Sequence, residues 1–218
     1  AGDGGRRAFL AGAAASLAAP AFAAAPTAWD IDFDVRIAGQ SVGHHRLAFR
    51  RDAAGDLRVT VDVAMRVRLM FVTVFDYRQQ AEETWRGDRL LRLESRTVDG
   101  DDRDHVVAER NGEGRIAVQS RRAGDRIVDG DMWPTSAFWR PAAVERERFL
   151  DVATGVIRPV DIAYRGLETI EALGRERPAR RYFVDTSRAF DIWYGSDGAW
   201  LRLEWSGFGL TARYHRVT

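Results

Sequence analysis

Over residues 57–77 nearly every odd position is apolar, and no other feature restricts this chain so strongly. Leu57, Val59, Val61, Val63, Met65, Val67, Leu69, Phe71, Phe75 and Tyr77 share one phase, against Arg58, Thr60, Asp62, Arg66 and Arg68 in the other. Alternation with period two is the mark of a strand buried on one face, and a helix cannot sustain it. Unbroken, the run would span roughly 65 Å at the usual strand rise, far beyond a typical strand. The even positions also turn apolar at Met70, Val72 and Val74. The strand is therefore expected to bend or bulge near Leu69, its second part covered on both faces, as strands that wrap a barrel do.

The same pattern recurs on both sides. Trp29, Ile31, Phe33, Val35 and Ile37 alternate with Asp30, Asp32, Asp34 and Arg36, and over 42–51 His45, Leu47 and Phe49 share a face. Further strands are expected over 78–86, 89–98, 103–110, 115–122 and 126–130, separated by Gly- and Asp-rich turns. A second series covers 156–165, 167–173, 179–185, 189–195, 199–205 and 209–217, with turns at Arg165-Gly166, Ser196-Asp197-Gly198 and Ser206-Gly207. Alternation stops between the two, at 131–142. There Pro134 and Pro141 suit the first turn of a helix, and Trp133, Phe138 and Trp139 require burial. The chain thus reads as all-β: an antiparallel meander of about a dozen strands, forming a closed or partly open barrel or a strongly curved sheet. A short helical crossover near 133–147 divides it.

The N-terminal end is different. Gly5-Arg6-Arg7-Ala8-Phe9-Leu10 is a twin-arginine pattern, followed by an Ala-rich apolar run and small residues through Ala25. Residues 1–25 therefore read as a Tat export signal, cleaved near Ala23 or Ala25. The implied partner is the Tat translocase and the implied location the periplasm. Residues 26–218 form a single antiparallel β domain. All 33 basic residues are Arg; against 32 acidic residues they give a formal net charge of +1. Removing 1–23 takes away Arg6, Arg7 and Asp3 and leaves the remainder neutral, which argues against a nucleic-acid partner. Cysteine is absent, which excludes disulfides and thiolate chemistry. The mature chain shows no run of membrane-spanning length.

Short motifs are spread along the β domain: Val42-Gly43-His44-His45-Arg46-Leu47-Ala48-Phe49, Glu83-Thr84-Trp85 with Gly87-Asp88-Arg89-Leu90, and Pro134-Thr135-Ser136 with Trp139. Leu150-Asp151 with Thr154-Gly155, and Asp191-Ile192-Trp193-Tyr194 with Gly198, complete the set. In these the chain resembles domain of unknown function 6134, an exported proteobacterial family. It is loosely similar to domain of unknown function 3108 and to open-barrel lipoprotein carriers. The resemblance implies a periplasmic β-rich protein and no particular activity.

Chemistry-bearing signals are few. Asp99-Gly100-Asp101-Asp102-Arg103-Asp104 lacks the Glu that an EF-hand would need eleven residues on, where Arg110 stands. Phosphate loops, dinucleotide fingerprints and zinc motifs are absent, so no catalytic residue, metal or cofactor is assigned. His45 faces the interior with Leu47 and Phe49; Tyr77, Glu83 and Trp85 alternate along another strand. These four, with Trp139 and Trp193, are the candidate ligand-binding residues of an aromatic cavity that the crossover partly closes. Three readings fit: a carrier of an apolar or lipid-like small molecule, an envelope structural or interaction protein, and a hydrolase-type enzyme using Glu83 and His45. The cavity reading is preferred, because many strands leave interior space.

Overall fold

The computed structural model describes residues 27–69, 71–207 and 209–218; the expected export signal lies outside them. Strands β1 (Ala28–Ile37), β2 (Gln40–Arg51), β3 (Leu57–Leu69), β4 (Val72–Arg86), β5 (Arg89–Asp99), β6 (Asp102–Arg110), β7 (Ile116–Ser120) and β8 (Arg126–Val128) form a meander. Next come β9 (Trp133–Pro134), 3-10 turns at Thr135–Trp139 and Pro141–Glu145, β10 (Arg148–Leu150) and β11 (Ile157–Pro159). A second meander contains β12 (Asp161–Ala172), β13 (Arg175–Asp185), β14 (Phe190–Gly195), β15 (Trp200–Gly207) and β16 (Leu210–Arg216). A single 13-stranded antiparallel sheet joins the two meanders through β16 beside β1, leaving β12 and β8 as its edges. The barrel is open.

Side-chain contacts across the concave face show how far the sheet rolls. Phe75 on β4 and Trp205 on β15 are five strand steps apart, which is about 24 Å on a flat sheet. Their ring centroids are 6.3 Å apart. Inward residues of β1 to β7 and of β14 to β16 build one core with Trp133, Phe138, Phe149 and Leu150 from the crossover. Outward, ion pairs such as Arg66–Asp76 (2.6 Å) and Arg96–Glu94 (2.5 Å) join exposed arginines to half-buried carboxylates. Such pairs contribute about 0–1 kcal/mol each, so burial of the concave face fixes the register.

Two local expectations are corrected and a third is given its detail. Residues 57–77 do not form one bent strand: Leu69 pairs with Val72, so the chain reverses there. The register then shifts by one residue between Val67 and Arg68, so that Val67 faces Phe75 and Met65 faces Tyr77. That extra residue restores the odd phase in β4, which is why a hairpin reads as one continuous alternation. Gly166 is not a turn but a bulge within β12, opposite Arg181; the reversal comes at Leu173-Gly174, where both residues have positive φ. The short helical crossover is present as expected, in the form of two 3-10 turns, with Pro141 opening the second.

Candidate functional site

Strand register sorts the inward side chains into rows. One row runs Phe49, Val59, Glu83, Leu93, Ala108, Val118, and the next runs Leu47, Val61, Ala81, Ser95, Val106, Ser120. A third runs His45, Val63, Gln79, Thr97, Asp104, and a fourth Met65, Tyr77, Asp99, Asp102. The concave face therefore changes from mainly apolar to polar along the strands. Glu83 and His45 share that face but stand four residues apart along it, about 13 Å at the usual rise. They do not converge.

The apolar end is filled by the crossover. Glu83 is 2% exposed; it accepts hydrogen bonds from Ser136 Oγ and from Trp85 Nε1, the latter at 2.7 Å. Burial pushes its carboxyl above the ordinary range, against those two bonds and the charge of Arg140. The Arg140 guanidinium lies 4.4 to 5.4 Å from the ring centroids of Trp139, Trp85 and Trp133. It donates to Asp88 Oδ1 at 2.7 Å and to the Gly87 carbonyl at 2.9 Å. On the opposite wall Tyr194 Oη donates to the Phe138 carbonyl at 2.6 Å. The crossover is thus fastened to β4 by a buried carboxylate and a caged cation, and to β14 by a phenol. Glu83, Trp85, Gly87, Asp88, Ser136 and Trp139, scattered over two sequence motifs, meet in this fastening.

The polar end is hollow. A cavity of about 500 Å³ is lined by His45, Val63, Met65, Tyr77 and Gln79 of β2 to β4 and by Leu203, Trp205 and Tyr214 of β15 and β16. Phe190, with Thr186, Ser187 and Arg188 in the β13–β14 connection, borders it, as do Asp151, Thr154 and Arg158. The loop carrying Asp151 is held tightly: Ser120 Oγ donates to the Thr154 carbonyl at 2.7 Å and Arg158 Nε to Asp151 Oδ2 at 2.6 Å. Gly155 has φ +73°, and a Cβ there would lie 2.5 Å from Ser120 Cβ, so this close approach requires glycine. His45 forms part of the floor, its ring 5.4 Å from Trp200 and 5.9 Å from Tyr214. Its Nε2 is enclosed without a partner among the described residues. Burial, aided by His44, pushes its pKa down to about 4 against the pull of Asp62, so the ring is neutral at pH 7. Burial likewise pushes the Tyr77 phenol up, and that of Tyr214 up to about 12.

Of the six candidate ligand-binding residues, His45 and Tyr77 line this cavity. Glu83, Trp85 and Trp139 lie in the filled end. Trp193 belongs to neither: it alternates with Ile192 and Tyr194 and packs into a separate cluster with Ile170, Ala172, Ala179 and Leu201. There its Nε1 donates to Glu168 at 3.1 Å. Sequence reasoning missed Gln79, Arg188, Trp205 and Tyr214. Gln79 was detectable, standing in phase with Tyr77; the others come from strands whose proximity to β3 and β4 depends on how far the sheet rolls. Among the described residues no group of three His, Asp or Glu side chains is placed to hold a metal ion, and no helix is long and apolar enough to cross a membrane.

Fold and cavity together define an open, β-barrel-like protein with one end plugged and the other hollow. The chain belongs to the family described as domain of unknown function DUF6134, whose pattern it matches over residues 33–217. Among solved structures it is similar to a beta-barrel-like protein of domain of unknown function DUF1849 from Brucella abortus. The TM-score is 0.63 at 9% identity, covering 88% of this chain and 96% of that one. At that identity the likeness shows the fold alone. No curated protein matches the chain in sequence.

Proposed function

We propose that this domain is a non-enzymatic binding or carrier protein that takes the apolar part of a small amphiphile into the hollow end of its trough. The observation that carries the reading is the cavity's division. Among its lining residues Val63 and Met65 are buried and Leu203, Phe190 and the aromatic rings are buried or half-buried, while of the charged ones Asp99, Arg122 and Arg188 are exposed and Asp151 and Arg158 half-buried. A volume of about 500 Å³ falls within the range of small-molecule sites, which are mostly apolar with a few placed polar groups. Periplasmic action after Tat export belongs to the same proposal, supported by Arg6-Arg7 and the apolar run behind them; replacing both arginines with Lys should block export.

The test is a titration with 1-aminoanthracene, an uncharged fluorophore that brightens in apolar surroundings. Saturable binding is expected in the wild type, with loss of binding in Leu203→Trp, whose added volume fills the floor. Equal binding by both proteins, or none by either, would leave the interaction reading ahead. That second reading rests on the free edge strand β12, where Tyr164 and Leu167 are exposed.

A further inference from the structure

The three arginines lining the cavity are not equivalent. Arg122 pairs with Asp102 and Asp104, each at 3.0 Å, and Arg158 with Asp151 at 2.6 Å. Arg188 has no carboxylate within ion-pair distance among the described residues; its guanidinium lies 5.3 Å from the Trp205 ring centroid. Arg188, Trp205, Tyr77 and Tyr214 all line this one cavity, and the charge of Arg188 acts on both phenols. The Tyr77 hydroxyl has no hydrogen-bond acceptor among the described residues, and that of Tyr214 has only the Met65 sulfur at 3.4 Å, a weak acceptor.

Each of these groups donates at neutral pH: the guanidinium cannot deprotonate, and both phenols are held protonated by burial. Donors left unmatched, or matched only by a thioether, in a half-enclosed site favour a ligand group that only accepts and carries negative charge. From this convergence we propose that Arg188, Tyr77 and Tyr214 form an oxyanion site, receiving the carboxylate of a single-chain amphiphile whose tail lies on the Met65, Leu203 and Phe190 floor. Two carboxylates are the counterweight: Asp151, which acts on Tyr77 but is paired with Arg158, and Asp99, which neighbours Tyr77 in register; both line the same cavity and oppose an anion by their charge. The inference rests on the cavity reading above and adds the charge and orientation of the ligand.

Displacement of bound 1-aminoanthracene from the full chain by decanoate, decyl phosphate, decanol and decyltrimethylammonium, all below micellar concentrations, separates the outcomes. Decanoate should displace the probe at a concentration at least roughly tenfold lower than decanol, the value of one charge-assisted contact. That advantage should vanish in Arg188→Gln, shrink in Tyr77→Phe and grow in Asp99→Asn, with decanol unchanged throughout. Arg188 is exposed, so its replacement leaves the core intact. Preferential displacement by decyl phosphate over decanoate would keep the oxyanion site and reassign its ligand to phosphate esters. Equal displacement by decanol and decanoate, or an advantage that survives Arg188→Gln, overturns the inference while the cavity reading stands. Failure of the probe to bind overturns the cavity reading itself.

Discussion

The two ends of the trough are built by the same strands with the same alternation, yet one is solid and the other hollow. At the solid end Glu83, Trp85 and Trp139 meet Ser136 and Arg140 from the crossover, and Trp85 is fully buried. At the hollow end His45, Tyr77, Tyr214 and Trp205 line a cavity that no crossover side chain plugs in the way Trp139 and Ser136 plug the other end. The strands do not decide which end fills. The crossover does, because it enters at the rows of Phe49 and Glu83 and stops at the loop around Asp151. A rolled sheet of this width leaves more interior than its own side chains occupy, and a separate segment must fill it or leave a cavity.

The sharpest way to break this comparison is to weaken the solid end alone. Trp85→Ala removes a ring packed edge-on against both Trp133 and Trp139 and a donor to Glu83. It should cost about 3–5 kcal/mol, read as a lower denaturation midpoint. The protein that remains folded should bind 1-aminoanthracene as the wild type does. A binding loss as large as that of Leu203→Trp would show that the two ends are not separate.

The ends should also respond to pH in opposite senses. His45 has its folded pKa depressed from 6.5 to about 4, so between those values the unfolded chain binds a proton that the folded chain excludes. Stability is full above about pH 6.5 and falls toward pH 4, by up to about 3 kcal/mol, and His45→Phe should flatten that slope. Glu83 has its folded pKa raised by burial. Its contribution is present at low pH, below the unfolded carboxylate range, and declines as pH rises through the folded value. Glu83→Gln should remove that decline. Denaturant midpoints measured across pH for the two variants check both signs.

A smaller effect belongs to the loop where plug and cavity meet. Gly155→Ala places a Cβ against Ser120 in a left-handed backbone conformation, at a cost of about 1–3 kcal/mol. Because Ser120 Oγ holds the Thr154 carbonyl, probe binding should weaken along with stability, unlike in Trp85→Ala. Thermal melts and the same titration compare the two variants directly.

Much of this architecture was legible in the sequence, and the failures share a cause. Alternation identified the inward phase of β1 to β4, so His45, Tyr77, Glu83 and Trp85 do face one side. Phase alone carries no row: it could not show that Glu83 stands four positions along the trough from His45. The β3–β4 hairpin was hidden because its connection lacks the Gly or Pro of an ordinary turn and a compensating bulge keeps the odd phase running. Trp193 misled because β14 is buried on both faces, where hydrophobicity does not distinguish inside from outside. Arg188 gave no local signal at all; only the rolling of the sheet brings it into one cavity with Tyr77 and Tyr214.

Diffraction from crystals held under xenon pressure tests the central claim most directly, since xenon enters apolar space that side chains leave unfilled. One ordered xenon site or more should appear against Met65, Leu203, Phe190 and Trp205, with none among Trp85, Trp133 and Trp139. Xenon within the tryptophan cluster, or a floor closed over by its own side chains with no xenon bound, would contradict the division of the trough into a solid end and a hollow one.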